Sequence, residues 1–415
     1  MTRAGIQVDG GRVSRELNEL AKFSAAAAPA VTRVLFTEQD LAARAYLKGL
    51  FADAGLAIRQ DAVGNLFARW KGSDPRAGAV GTGSHCDAIP HSGKFDGTVG
   101  VLGGLEAVRA LKRARFAPRR SIEVIMFTSE EPTRFGLGCL GSRLLSGSLD
   151  PAKAGELLDG EGQTLEQVRA DVGLDESLDS VKLSPDHFAA FVELHIEQGP
   201  ILEREGLDIG IVTAIAAPAT LRITLKGAGG HAGATLMPGR RDALVAASEI
   251  AIAVERVAIS SGSADAVATT GTCRVYPGAV NSIPSQVVLE IDVRDTKLDV
   301  RDGMVAAIRR DAEEICSRRN IGLGIEILNA DPPAACDAAI VAAVEETCRE
   351  RGRSARRMVS RAYHDSLFMA RVAPTGMIFI PCRDGVSHRP DEHASPDAIA
   401  NGVEVLAGAV ARLAS

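Results

Sequence analysis

The feature that most constrains this chain is an alternation of short apolar runs with helix-periodic segments. "AGAVGTGSH" reads as a strand running into a loop, and "GTVGVLGGLEAVRALKRA" as the helix behind it. "RRSIEVIMFTSEE" is another strand, whose end delivers Glu130 and Glu131. Before them, "EQDLAARAYLKGLFADAG" has helical spacing and stops at a glycine, and "LAIRQDAVGNLFARWKG" alternates and turns like a strand pair. Strands alternating with helices predict an α/β fold with a mostly parallel sheet and helices on both faces. In such sheets ligands bind beyond the carboxyl ends of the strands, and both acidic clusters sit at such ends.

The pattern changes near residue 213. "ATLRITLKGAGGHAGA", "GRRDALVAASEIAIAVERVA", "SQVVLEIDVRDT", "RDGMVAAIRRDAEEICSRRN" and "IGLGIEILN" read as strand, helix, strand, helix, strand. The helix "DAAIVAAVEETCRER" and the strand-like "TGMIFIPC" then resume the first pattern. A chain of 415 residues is too long for one ordinary core. The expectation is a split domain, 1–212 with 330–415, carrying a smaller inserted α+β domain over 213–329.

Composition narrows the function classes. Hydrophobic residues make up 46% and charged residues 24%, as in soluble globular proteins. A formal net charge of −6 argues against a nucleic-acid partner. No apolar run is long enough to span a bilayer, so no membrane association is expected. "MTRAGIQVDGGRVSRELNEL" lacks the apolar core of a secretory signal, and the expected location is cytoplasmic. Seven dispersed cysteines without a Cys-x-x-Cys pair read as reduced thiols. Cys86 sits among carboxylates, which raise a thiol pKa and disfavour a nucleophilic role.

His85, His195 and His388 each follow a strand-like run into a turn containing Gly or Pro. Singly, each reads as an ordinary turn histidine. Together with Asp96, Glu130 and Glu131 they form a donor set for Zn²⁺ or Mn²⁺. Five ligands are too many for one catalytic zinc and fit two ions sharing a bridge. A carboxylate can span the two ions and an imidazole normally cannot, which makes Asp96 the bridge. Glu130 and Glu131 point opposite ways from an extended backbone. One can ligate while its neighbour faces the bound water. His231, in "GAGGHAGA", falls in the inserted domain and suits polarising a substrate carbonyl better than ligation. His364, in "SRAYHDSLF", reads either as an oriented imidazole at the site or as part of a helix N-terminus. His91, His187 and His393 receive no role.

The motifs "GSHCDAIPHSGKFDGTVGVLGG", "FTSEEPTRFG", "ELHIEQGPILE", "GGHAGATLMPGRRDAL" and "GAVNSIPSQVVLEIDVRD" resemble the dinuclear-metal amidohydrolases that hydrolyse N-carbamoyl groups. They run in the family's order over most of the chain. Two further stretches, "SEEPTRFGLGCLGSRLLSG" and "MVSRAYHDSLFMARVAPTGMIFIPC", look closest to the ureidoglycolate branch. Tyr363-His364-Asp365-Ser366 stands where the family usually has Gly-His-Asp-Ala. The resemblance implies that His85, Asp96 and His195 hold one metal, that Asp96, Glu131 and His388 hold the other, and that Glu130 is the base. It implies Asp87 as the group orienting His85, and Gln198, His231, Asn281 and Arg294 at the substrate, with Arg294 gripping a carboxylate. Tyr363 is expected to bond the substrate hydroxyl, with His364 beside it; Arg240 also matches a family position, without an assigned role. Two divalent ions per subunit are implied, Mn²⁺ first, with Zn²⁺, Ni²⁺ or Co²⁺ as alternatives. The inserted domain is implied to act as a lid and to form a homodimer.

The implied reaction is hydrolysis of a ureido C–N bond in a small ureido-carboxylate, taking ureidoglycolate to glyoxylate, ammonia and carbon dioxide in allantoin and purine breakdown. Alternatives with the same ligands are allantoate or an N-carbamoyl-L-amino acid, including the β-ureidopropionase substrate. An exopeptidase of the same dinuclear type is a further alternative. A non-catalytic metal-binding protein is disfavoured by the presence of Glu130.

Overall fold

The computed structural model describes residues 5–74 and 76–415. They form two compact units. The first comprises Met1–Thr213, Ala335–Ser360 and His364–Ser415; the second comprises Ala214–Ala334 and Arg361–Tyr363.

At the centre of a nine-stranded sheet in the first unit, Thr375–Ile380, Phe188–Ile196, Ala79–His85 and Ile122–Phe127 lie side by side. All three pairings among them are parallel. Leu66–Trp70 and Ala57–Gln60 continue the sheet antiparallel on one side, and Ile209–Ile215 pairs antiparallel on the other. The sheet is therefore mixed, and the parallel character expected of most of it is confined to the centre. The short "DAVGN" turn explains one side, because so short a link joins only antiparallel neighbours.

Period-2 geometry sorts the strand residues into two cores. Val124 and Met126 belong to one apolar cluster, while Ile125 and Phe127 belong to another. Both faces are thus covered, which is why Val124 to Phe127 form a continuous apolar run rather than an alternation. Helix Thr98–Arg113 packs on Ala79–His85 and against helix Pro396–Leu413. The latter starts as its sequence dictates, with Ser395 Oγ accepting the Ala398 N–H and proline in its first turn.

The second unit is a four-stranded antiparallel sheet, ordered Val267–Tyr276, Gln286–Asp295, Ala217–Lys226, Gly322–Ala330. Helices Ala243–Ile259 and Leu298–Arg319 pack on it and on each other. Val287, Leu289, Ile291 and Val293 are buried while their neighbours along the strand are not, so one face carries this core. Val267–Tyr276 is a strand absent from the sequence reading. Arg361–Tyr363, assigned there to the larger domain, joins the second unit. Arg361 pairs with Asp265, and its carbonyl accepts from Arg294 Nη1.

All seven cysteines are free, and the Cys86 thiol is buried and pushed up to about 12 by that burial. Among the described residues no helix is long and apolar enough to cross a membrane.

Candidate metal centre

The parallel registers pair His85 with Phe127 and His195 with Phe379, so these strands present their carboxyl ends together. His85 closes one strand and His195 lies in the last turn of pleat of the next. Glu130 and Glu131 follow Ile122–Phe127, His388 follows Thr375–Ile380, and Asp96 stands just before helix Thr98–Arg113. All of these residues belong to the first unit.

Asp96 divides its two oxygens. Oδ1 lies 3.1 Å from His195 Nε2 and 3.6 Å from His85 Nε2. Oδ2 lies 3.0 Å from His388 Nε2, and Glu131 Oε1 lies 3.3 Å from the same nitrogen. In each of the groups His85–Asp96–His195 and Asp96–Glu131–His388 the candidate ligand atoms fall within 4.8 Å of one another. Glu130 Oε2 is 3.7 Å from His85 Nε2 and stands outside both groups.

The histidine tautomers follow from their outer nitrogens. His85 Nδ1 donates to the Asp87 carbonyl (3.0 Å) and His195 Nδ1 to the Ile196 carbonyl (2.9 Å). Each Nε2 is thereby turned toward Asp96, the side on which a cation is taken, and His195 Nε2 also lies within reach of the Gly97 N–H (3.2 Å). Asp87 meets His85 as the group expected to orient it, with its carboxylate Oδ1 also 3.8 Å from His85 Nδ1. Its main-chain oxygen, rather than its carboxylate, bonds His85, and its carboxylate accepts the N–H groups of Glu130 (3.3 Å) and Glu131 (3.0 Å). One residue thus fixes both a histidine and the acidic pair.

Charge in the cluster is out of balance without cations. Hydrogen bonds to Asp96 and Glu131 push His388 up to about 11. Burial opposes charge on His85, but Glu130, Asp96 and Asp87 outweigh it and raise its pKa well above the usual range. Burial would raise Asp96 too, yet its three histidine partners hold it far below the usual carboxylate range. Glu130 moves the other way: burial raises it, and Glu131, Asp365 and Asp96 add to the rise against His85. The carboxylates draw positive charge onto the imidazoles. Divalent cations meet the same demand through the same nitrogen and oxygen atoms, so the residues present fit them.

Gln198 Nε2 donates to Asp96 Oδ2 (2.9 Å), while its buried Oε1 has no hydrogen-bond partner. His364 is the N-cap residue of helix Asp365–Met369, the second of the two places expected for it. Its ring is buried 4.4 Å from that of His195, with Nε2 3.1 Å from Ser360 Oγ. It packs against a candidate ligand, and Glu193, His195 and His364 also bring ligand atoms within 4.8 Å of one another.

The second unit holds His231, Asn281, Arg294 and Tyr363. His231 Nδ1 accepts the N–H groups of Gly233 and Ala234, both at 3.2 Å, so its neutral ring carries the proton on Nε2. The Asn281 carbonyl accepts from Ala232 N (2.9 Å). Arg240, without a role from sequence, donates to the Ala232 and Thr235 carbonyls and braces the loop carrying His231. Arg294 donates to both Asp292 oxygens (2.6 and 3.2 Å), and its guanidinium lies 5.8 Å from the Tyr363 ring centroid. His91 is exposed and belongs to none of the ligand groups.

Three residues at the centre escaped the sequence reading. Glu392 is buried, takes the Phe95 and Asp96 N–H groups, and is pushed up to about 7 by burial and by Asp96. Ser387 Oγ lies 3.0 Å from Asp96 Oδ2. Cys139 directs its thiol at Glu130 Oε1 (3.6 Å), and its N–H at the Glu130 carbonyl (2.8 Å). The proximity of Ser387 and Glu392 to His388 in "SHRPDE" was the only available signal.

Fold and donor set together define a class: α/β proteins with a His/Asp/Glu centre for metal ions at the carboxyl ends of parallel strands. Residues 81–412 match the model of Peptidase family M20/M25/M40. The chain belongs to that family, whose members are typically metal-dependent. It is 53% identical to a ureidoglycolate hydrolase of Oryza sativa subsp. japonica, over 98% of this chain and 85% of that protein. It is 40% identical to an N-carbamoyl-L-amino acid amidohydrolase of Geobacillus stearothermophilus, over 98% of this chain and 99% of that one. The crystal structure of AtUAH in complex with glyoxylate superposes with a TM-score of 0.92 at 51% identity, covering 99% of both chains. The same protein has been seen in complex with (S)-hydroxyglycine. The resemblance drawn from the motifs to the N-carbamoyl amidohydrolases and their ureidoglycolate branch holds along nearly the whole chain.

Proposed function

We propose that this chain hydrolyses the ureido C–N bond of ureidoglycolate, using two divalent cations held by His85, Asp96 and His195 and by Asp96, Glu131 and His388. The observation that carries the chemistry is the division of Asp96 between two histidine groups, with Glu130 beside them but in neither. Substrate choice rests on similarity to ureidoglycolate hydrolases at 51–53% identity. Mn²⁺ is the first choice of metal. When bound, such cations supply Lewis acidity that lowers the pKa of water and polarises a carbonyl.

The protein's own groups do the rest. Glu130 takes the proton of the attacking water as general base and returns it to the leaving nitrogen as general acid. Asp87, through the Glu130 and Glu131 amides, and Cys139, through its thiol, hold that carboxylate in place. Gln198 Oε1, a buried acceptor without a partner, suits an N–H of the ureido group. His231 presents an Nε2–H donor for the developing oxyanion. Arg294, oriented by Asp292, and Asn281 recognise the carboxylate, and Tyr363 bonds the hydroxyl. Loss of ammonia and carbon dioxide leaves hydroxyglycine, whose collapse gives glyoxylate and a second ammonia.

The test is product release from ureidoglycolate by Mn²⁺-loaded protein, beside allantoate and several N-carbamoyl-L-amino acids. Glyoxylate fastest from ureidoglycolate, with two ammonia per glyoxylate, is the expected result. Glu130→Gln is expected to lower kcat by roughly 10²–10⁴-fold. Faster turnover of a carbamoyl amino acid would favour the chemistry of the relative at 40% identity and overturn the substrate.

A further inference from the structure

Glu392 is 5% exposed, yet it is not one of the six groups proposed to bind cations or move the proton. Each of its oxygens is committed. Oε1 accepts the N–H groups of Phe95 (2.8 Å) and Asp96 (3.1 Å), and Oε2 accepts the Ser387 hydroxyl (2.8 Å). That hydroxyl also lies 3.0 Å from Asp96 Oδ2, the oxygen that faces His388. Gly93 leaves no room for a side chain here, because a Cβ would overlap the Glu392 carboxylate arm. Two segments nearly 300 residues apart in sequence are therefore joined through one carboxylate. One carries Asp96 and the other carries Ser387 and His388.

We infer that Glu392 is a positioning residue for the shared carboxylate. It clamps the main chain at Phe95 and Asp96 and, through Ser387, fixes the rotamer that divides Asp96 between its two histidine groups. The inference rests on the reading of Asp96 and His388 as cation ligands. It adds a residue that touches neither cation nor substrate and acts through Asp96 alone. Removing the carboxylate leaves two buried amides unpaired and frees the Asp96 side chain to turn.

The test is Mn²⁺ affinity, read from the electron-spin resonance signal of free Mn²⁺ during titration, together with the Tm of the metal-free protein. Glu392→Ala is expected to weaken Mn²⁺ binding by roughly 10–100-fold, as for other groups that support metal ligands. Glu392→Gln keeps one acceptor oxygen for the amides and is expected to stay within about threefold of the parent, below that range. Ser387→Ala removes the hydroxyl that joins Glu392 Oε2 to Asp96 Oδ2 but leaves the two amide bonds to Glu392, and so guards against misfolding of Glu392→Ala; about threefold to tenfold weaker binding is expected. A merely structural role would lower the metal-free Tm and leave affinity unchanged. Parent-like affinity in both Ser387→Ala and any folded Glu392→Ala overturns the inference. Should the parent chain bind Mn²⁺ no better than His388→Ala does, the ligand reading itself fails, an outcome separate from the fate of Glu392.

Discussion

Gly97 follows the shared carboxylate directly, and its φ of 64° lies where side-chain-bearing residues are strained. A Cβ there would overlap the His85 ring. The glycine therefore serves both the turn into helix Thr98–Arg113 and the seat of a candidate ligand. Gly97→Ala is expected to destabilise the fold by about 1–3 kcal/mol and to abolish binding in the His85 group. Denaturant unfolding and bound-Mn²⁺ counts on the same sample check both parts, and an unchanged metal count would refute the second. At this scale the clustering of the candidate ligands was legible, because His85, Glu131, His195 and His388 each lie at or beyond the end of an apolar run. Glu392 was not, because its partners are main-chain amides remote in sequence. Nor was the commitment of Asp87, since a sequence does not tell whether a carbonyl or a carboxylate will reach a histidine.

At the scale of elements, the turn joining Ala57–Gln60 to Leu66–Trp70 is built on Asp61. Its Oδ1 accepts the Val63 and Asn65 N–H groups, and its Oδ2 accepts Asn65 Nδ2. Burial pushes this carboxyl up from 3.8 to about 6, against those bonds. A pKa raised on folding means that the contribution of Asp61 to stability is full below pH 3.8 and is lost as pH rises through about 6. Asp61→Asn escapes that titration. Relative to the parent, the variant is expected to gain about 2 kcal/mol between pH 4 and pH 7. Urea midpoints across this range test it, and parallel curves would refute it. Elements with one decisive pattern were readable: Ile122–Phe127 is apolar but for Glu123, and Gln286–Asp295 alternates. Val267–Tyr276 was missed because it is an edge strand, rich in threonine and exposed along most of its length. Its pairing is set by the neighbour rather than by its own periodicity. The mixed sheet was misjudged for a related reason, since an apolar run reports burial and not direction.

For the whole molecule, the second unit is notable for what it exposes. Leu236, Met237, Ile252, Ile259, Tyr276 and Val280 are all exposed, Ile252 at 67% and Ile259 at 78%. Large apolar side chains on one unit mark a surface suited to association. A homodimer formed through this unit is the assembly we propose, and light scattering is expected to give twice the chain mass. Ile252→Asp with Ile259→Asp is expected to give monomers. A parent protein already monomeric at micromolar concentration would contradict the proposal. The separation of an inserted unit was legible from the change in strand and helix pattern near residue 213. The return of Arg361–Tyr363 was not, because three residues carry no periodicity and are held by Asp265 and Arg294.

The central claim is that Asp96 is shared by two cations, and it is tested most directly by diffraction from Mn²⁺-soaked crystals at the manganese absorption edge. Two anomalous peaks are expected, roughly 3.5–4 Å apart. One would lie against His85 and His195, the other against Glu131 and His388, with an Asp96 oxygen on each. A single peak, or two peaks of which only one touches Asp96, would contradict the shared-carboxylate centre and the mechanism built on it.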